Sequence, residues 1–183
     1  PAGPGEGFLI AELDALTRQG GQLTVVPLWP RGDMQPDQLR LDGQSVSQVQ
    51  AVVQPLFGTA IALGLFRGFF RSPLQVLHWL GYLATNGRSW RIRMKNLAVW
   101  AKAVWLSEQL RSLRATHLHV HWAATTATCG MVAANLATIE WSMTCHRWDI
   151  YENNLLVKKV SDSSFTRFIS QRGFDEAVRR GAP

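Results

Sequence analysis

The sequence predicts an α/β protein with a parallel, doubly wound sheet, and three observations carry that reading. Residues 117–180 alternate strand-like and helix-like segments. An amphipathic helix near the N-terminus runs through Gly20-Gly21 straight into a β-branched strand, as the second half of a βαβ unit does. The chain has 183 residues, 46% of them apolar and 17% charged, which suits one domain over 1–183 around one substantial core.

Phe8, Leu9, Leu13 and Leu16 recur at helical spacing, and the glycine pair supplies the stop. Gln22 to Trp29 reads as a strand closed by Pro30. A strand belongs before such a helix, so a truncation ahead of the first strand is expected. The start at Pro1 instead of a methionine points the same way, and Pro1 to Gly5 has neither the basic region nor the apolar run of a signal peptide. Arg31 to Ser45 is polar, with Pro36 and Gly43, and reads as a surface loop.

From Val46 to Leu113 the pattern is helical, with breaks near Pro55, Pro73 and Asn86-Gly87. Here Phe66, Phe69, Phe70, Trp79, Trp90, Trp100 and Trp105 interleave with Arg67, Arg71, Arg88, Arg91, Arg93, Lys95 and Lys102. Helical packing with snorkelling arginines accounts for this pattern, and so does a face that meets a membrane surface or an anionic substrate. The apolar stretch from Val52 to Phe66 is too short and interrupted to span a bilayer.

His117 to Trp122 alternates as a strand, with His117, His119 and His121 on one side and Leu118, Val120 and Trp122 on the other. Ala123 to Leu136 is rich in small residues and suits a helix packed closely on a sheet. Ile139 to Cys145 is the next strand, His146 to Asp149 a polar turn, Tyr151 to Val160 a short helix, Phe165 to Ser170 a strand, and Phe174 to Arg180 a helix. In such a sheet ligands gather at the carboxyl ends of strands.

Lys and Arg number 19 against 13 Asp and Glu, a net charge of +6 with a pI of 10.0, which favours anionic partners. Nucleic acid is disfavoured because no reader motif accompanies the charge. Cys129 and Cys145 are too few and too far apart for a disulfide scaffold or a zinc knuckle, which predicts a reducing compartment. No phosphate-binding glycine motif and no G-x-S-x-G elbow is present.

Alternate strand side chains stand about 7 Å apart, too far for three histidines to close on one metal. His117 and His119 therefore read as structural, their imidazoles bonded to neighbouring backbone or lying at a cleft edge. His121 sits at the strand's carboxyl end, where it could line a site. His146 and Asp149 follow a strand directly, and an imidazole with a carboxylate three residues on could hold a hydroxyl or orient a proton. Asp149 could equally cap a helix beginning near Tyr151.

Taken in order, Glu6 to Glu12, His117 to Trp122, Met143 to Tyr151 and Phe168 to Gln171 resemble motifs of the N-terminal domain of family 4 glycosyltransferases, of the colanic-acid and exopolysaccharide type. The resemblance covers nearly the whole chain and departs from the usual wording at Gly5 and Gly7, where Ser and Thr are common. It implies a Rossmann-like domain with a helical insertion over about 46–113, forming one half of a GT-B architecture. The other half would be a C-terminal donor domain, before which this chain ends. The implied activity is retaining transfer of a sugar from a nucleotide-sugar co-substrate to a lipid-linked or polysaccharide acceptor in bacterial surface-polysaccharide synthesis. It needs no metal and no resident cofactor, and this chain alone would be inactive.

By position, the resemblance makes His146 and Asp149 the catalytic pair, and it makes His121, Trp148 and Glu6 acceptor-binding. It places the protein in the cytoplasm, peripheral on the inner membrane face. The competing expectation is a stand-alone carbohydrate- or lipid-binding or interaction domain without catalysis.

Overall fold

The computed structural model describes residues 8–30, 40–41, 44–45 and 49–183. It divides into two compact units, 1–56 and 57–183, inside the single span that the sequence predicts. Glu6, Gly5, Gly7 and most of the expected 31–45 loop lie outside the described residues.

In the first unit, helix α1 (Phe8–Arg18) ends at Gly20, whose φ of 84° supplies the left-handed turn. Strand β1 (Leu23–Val25) follows, and two two-residue strands, β2 (Arg40–Leu41) and β3 (Gln44–Ser45), pair antiparallel. Strand β4 (Val49–Ala51) then runs parallel to β1, pairing Leu23 with Val49 and Val25 with Ala51. Helix was expected from Val46 onward, but Val49 and Ala51 alternate with exposed Gln50. That period of two turns both apolar side chains onto Leu9, Ile10, Leu13, Leu23, Val25 and Val53. The strand expected over 22–29 is only three residues long, since Pro27 has no N–H to give a ladder.

The second unit begins with three helices: α2 (Thr59–Arg71), α3 (Pro73–Thr85) and α4 (Trp90–Ser112). Pro73 is the first residue of α3, where its missing N–H costs nothing. Ser89 caps α4, its Oγ accepting the Ile92 N–H at 3.4 Å. Gly64 and Gly68 let α2 approach α4 closely, because a Cβ at either would press into Trp105 or Val104. The structure sorts the aromatic residues of this region. Trp79 and Trp105 are core residues, and Trp100 is half-buried with its indole N–H donating to the Val76 carbonyl at 3.3 Å. Phe66, Phe69, Phe70 and Trp90 stand in solvent.

The remainder is a three-stranded parallel sheet in the order β5 (His117–His121), β6 (Glu140–Cys145), β7 (Phe165–Phe168). Helix α5 (Thr125–Ala137) connects β5 to β6, and Gly130 brings it against Val120 of β5. Its Ala127, Met131, Val132 and Ala134 are wholly buried, which explains the small-residue composition. The helix expected over 151–160 is instead two, α6 (Arg147–Glu152) and α7 (Leu156–Asp162), broken where Asn153 and Leu155 take φ of 50° and 55°. Helix α8 (Gln171–Arg179) closes the chain, capped by Ser170, whose Oγ accepts the Gly173 N–H at 3.2 Å. The protein is thus mixed α/β, with short parallel sheets and eight helices among the described residues.

Candidate functional site at the carboxyl ends of β5 and β6

Parallel pairing sets His121 beside Thr144, so β5 and β6 end side by side. The ladder continues one residue further, where the Trp122 N–H donates to the Thr144 carbonyl at 3.1 Å. Trp122 itself has φ 70°, a left-handed conformation that costs a non-glycine residue on the order of 1 kcal/mol or more. Immediately beyond that turn the indole stacks on His146, with centroids 5.9 Å apart and planes inclined by 26°. It also meets His121 at 5.6 Å, and the two imidazoles lie 6.3 Å apart. Three half-buried rings therefore converge on the strand ends.

His117 and His119 point to the same face but are tied to β6. The Ser142 hydroxyl lies 2.7 Å from His117 Nε2 and 2.8 Å from His119 Nδ1, and Thr144 Oγ1 lies 3.0 Å from His119 Nε2. These partners are side-chain hydroxyls of the neighbouring strand and not the expected backbone, because parallel pairing sets Ser142 and Thr144 beside the two rings, and Phe165 of β7 stacks against both.

Asp149 caps α6, the helix that starts at Arg147, and not one starting near Tyr151. Its Oδ2 accepts the His146 backbone N–H at 2.9 Å, and the residue is only 5% exposed. The carboxylate thus fixes the turn that aims His146. Trp148, by contrast, projects from the first turn of α6 and is 83% exposed. Glu6 falls outside the described residues.

Beneath the site lies a residue that pattern reading misses. Lys159 of α7 is fully buried, and its Nζ donates to the carbonyls of Ala123 at 2.8 Å and Ala124 at 2.6 Å. Those carbonyls belong to the short connection between Trp122 and α5, so the ammonium holds the loop that carries the indole. Burial pushes the Lys159 pKa down to about 7, against the pull of Asp149 and Glu152. Cys145, directly before His146, is pushed up to about 12 by burial and by Asp149, so it is a neutral thiol and not a nucleophile.

A second support is the amide pair Asn96–Asn154. Each side chain donates to the other at 2.9 Å, and the Thr128 hydroxyl adds a bond to Asn96 at 3.0 Å. All three residues are completely buried. The pair ties α4 and α5 to the break between α6 and α7, which accounts for the left-handed residues on either side of Asn154. Asn96 sits mid-helix in an otherwise unremarkable pattern, and only its position 58 residues from its partner gives it meaning.

Chemically, the three-ring cluster offers flat apolar faces beside imidazole nitrogens, able to stack on a ligand and to hydrogen-bond its hydroxyls. No protein-family model, no curated protein and no solved structure matches the chain.

Proposed function

We propose that this protein is the acceptor-binding half of a retaining glycosyltransferase, a Rossmann-like domain that works against a second, donor-binding domain in a GT-B arrangement. The observation that carries the reading is the convergence of His121, Trp122 and His146 at the ends of two adjacent parallel strands. Sugars present alternating C–H faces and hydroxyls, and this cluster presents alternating ring faces and nitrogens. In the reaction, the sugar exchanges its bond to the nucleotide diphosphate for one to an acceptor hydroxyl, whose proton leaves with the diphosphate. His146 holds a hydroxyl of the reacting sugar or acceptor, while His121 and Trp122 form the wall beside it. Asp149 acts through His146 as a positioning residue. The exposed Trp148 extends the acceptor surface, and the acceptor is a polysaccharide end or a lipid-linked sugar. The proposed transfer uses no metal and no resident cofactor.

The test is NMR titration of the 183-residue chain with a panel of oligosaccharides and polyprenyl-phosphate sugars. We expect one class to shift the His121, His146 and Trp122 ring signals, with affinity falling at least about tenfold in Trp122→Ala and His146→Ala. Silence across the panel overturns the reading. Binding without transfer, when a nucleotide sugar and a donor domain are supplied, would leave a non-catalytic carbohydrate-binding domain.

A further inference from the structure

Helices α2 and α3 carry a surface that the saccharide reading does not use. On α2, Ile61, Gly64 and Gly68 are buried, the two glycines against α4. About half a turn away run Leu63, Phe66 and Phe70. They form the outermost stripe of the helix and are 48%, 60% and 71% exposed. The Phe66 and Phe70 rings pack together with centroids 4.5 Å apart, which makes an aromatic ridge of that part of the stripe.

Helix α3 repeats the arrangement. Val76, Trp79 and Leu83 are buried, while Leu74 and Leu77 stand out, Leu74 at 82% exposure. Phe57, just before α2, is exposed as well. A helix facing water puts charge on its outer stripe, whereas two consecutive helices here put hydrocarbon there. Single exposed apolar residues are ordinary; neighbouring ones on consecutive helices mark an interface.

The charge pattern says what lies on the other side. Between Asp42 and Glu108 the sequence contains no Asp or Glu, while it contains six arginines and lysines beyond the buried Lys102. Arg71 and Lys95 are paired with Glu108 and Glu152 at 3.4 and 2.7 Å. Arg67 lies beside the ridge, and Arg88 and Arg91 follow at the start of α4; all three are exposed. An apolar ridge with the exposed Arg67 beside it, on two helices that carry no carboxylate of their own, suits a phase that is hydrocarbon inside and anionic at its boundary. A second copy of the same face would set arginine against arginine. No helix among the described residues is long and apolar enough to cross a membrane, so the contact is one of lying on the surface.

We propose that α2 and α3 dock this protein on an anionic lipid bilayer. Leu63, Phe66, Phe70 and Leu74 enter the interface, and Arg67 sits among the headgroup phosphates. This stands whether or not the saccharide reading holds. The test is flotation of the 183-residue chain with phosphatidylcholine vesicles, with and without phosphatidylglycerol. We expect binding that grows with the phosphatidylglycerol fraction and weakens with salt. The triple variant Phe66→Ser, Phe70→Ser, Leu74→Ser should bind at least about tenfold more weakly. Arg67→Glu should bind about fivefold more weakly or worse. Because all four side chains are exposed, thermal melts matching the parent protein will show that the fold is kept. Equal binding to neutral and anionic vesicles, or none to either, overturns the proposal. So does a dimer in sedimentation velocity that the triple variant dissociates, since a second copy would then occupy the face.

Discussion

The outer face of α2 and α3 and the ends of β5 and β6 both gather aromatic rings, with opposite physical arrangements beneath them. At the strand ends, Trp122 and His146 are held at set distances by a ladder hydrogen bond, the Asp149 cap and the buried Lys159. On α2, the rings of Phe66 and Phe70 touch each other and then solvent. The polar groups under the first cluster fix its geometry, as a ligand site requires. The second cluster has an apolar backing against α4 and offers area instead of geometry, which suits a fluid partner. If this contrast is right, substitutions below the strand ends will cost stability and those on the α2 face will not.

The largest effect is expected at Asn96. Asn96→Ala strips hydrogen bonds from Asn154 and Thr128 in a dry interior, and should lower unfolding free energy by about 3 kcal/mol in urea denaturation. A loss below about 1 kcal/mol would mean that water enters there and that the amide pair does not organise the break between α6 and α7.

Next comes a pH dependence with a definite sign. Burial lowers Lys159 to about 7 and Lys102 to about 8, against 10.5 for each when free. Between those values the unfolded chain binds more protons, so stability should climb as pH rises from about 7. Buried Cys129 and Cys145 are raised to about 12 from 9.0, so above pH 9 their ionisation in the unfolded chain works against the climb. Urea midpoints measured from pH 6 to 10 should therefore rise and then level off near pH 9. Lys159→Met should flatten the rise; an unchanged slope would mean that Lys159 is solvated.

Asp149→Ala should cost about 1 kcal/mol, the usual value of a helix cap, while Asp149→Asn keeps an acceptor and should cost less. A weakened saccharide affinity in both, with Asn nearly as folded as the parent, would locate a role for the charge itself. The smallest effect belongs to the other region. Phe70→Ser should alter stability by no more than about 0.5 kcal/mol, and a larger loss would show that the α2 ridge is part of a core.

How much of this was legible beforehand follows from which interactions are local. The helix stop at Gly20-Gly21 and the alternation through His117 to His121 are short-range signals, and the elements stand close to where those signals point. The alternation at Val49 to Ala51 is equally local but only three residues long, too short to be told from the start of the helical run after it. His121 and His146 could be picked out because one ends a strand and the other follows one directly. Trp122 could not: strand alternation sets it on the side opposite the histidines, whereas a left-handed turn that no neighbouring glycine announces brings its ring against His121 and His146.

The sequence by itself determined the alternation of elements, the parallel pairing that such alternation enforces, and the basic, carboxylate-free middle of the chain. These depend on residue type and on spacing within a turn or a strand. Only the tertiary structure decided which rings are core and which are surface, separating Trp79 and Trp105 from Phe66 and Phe70. Only it placed Lys159 under the loop after Trp122 and joined Asn96 to Asn154. A buried polar contact is set by the meeting of distant segments, and neither partner's own neighbourhood in the chain records it.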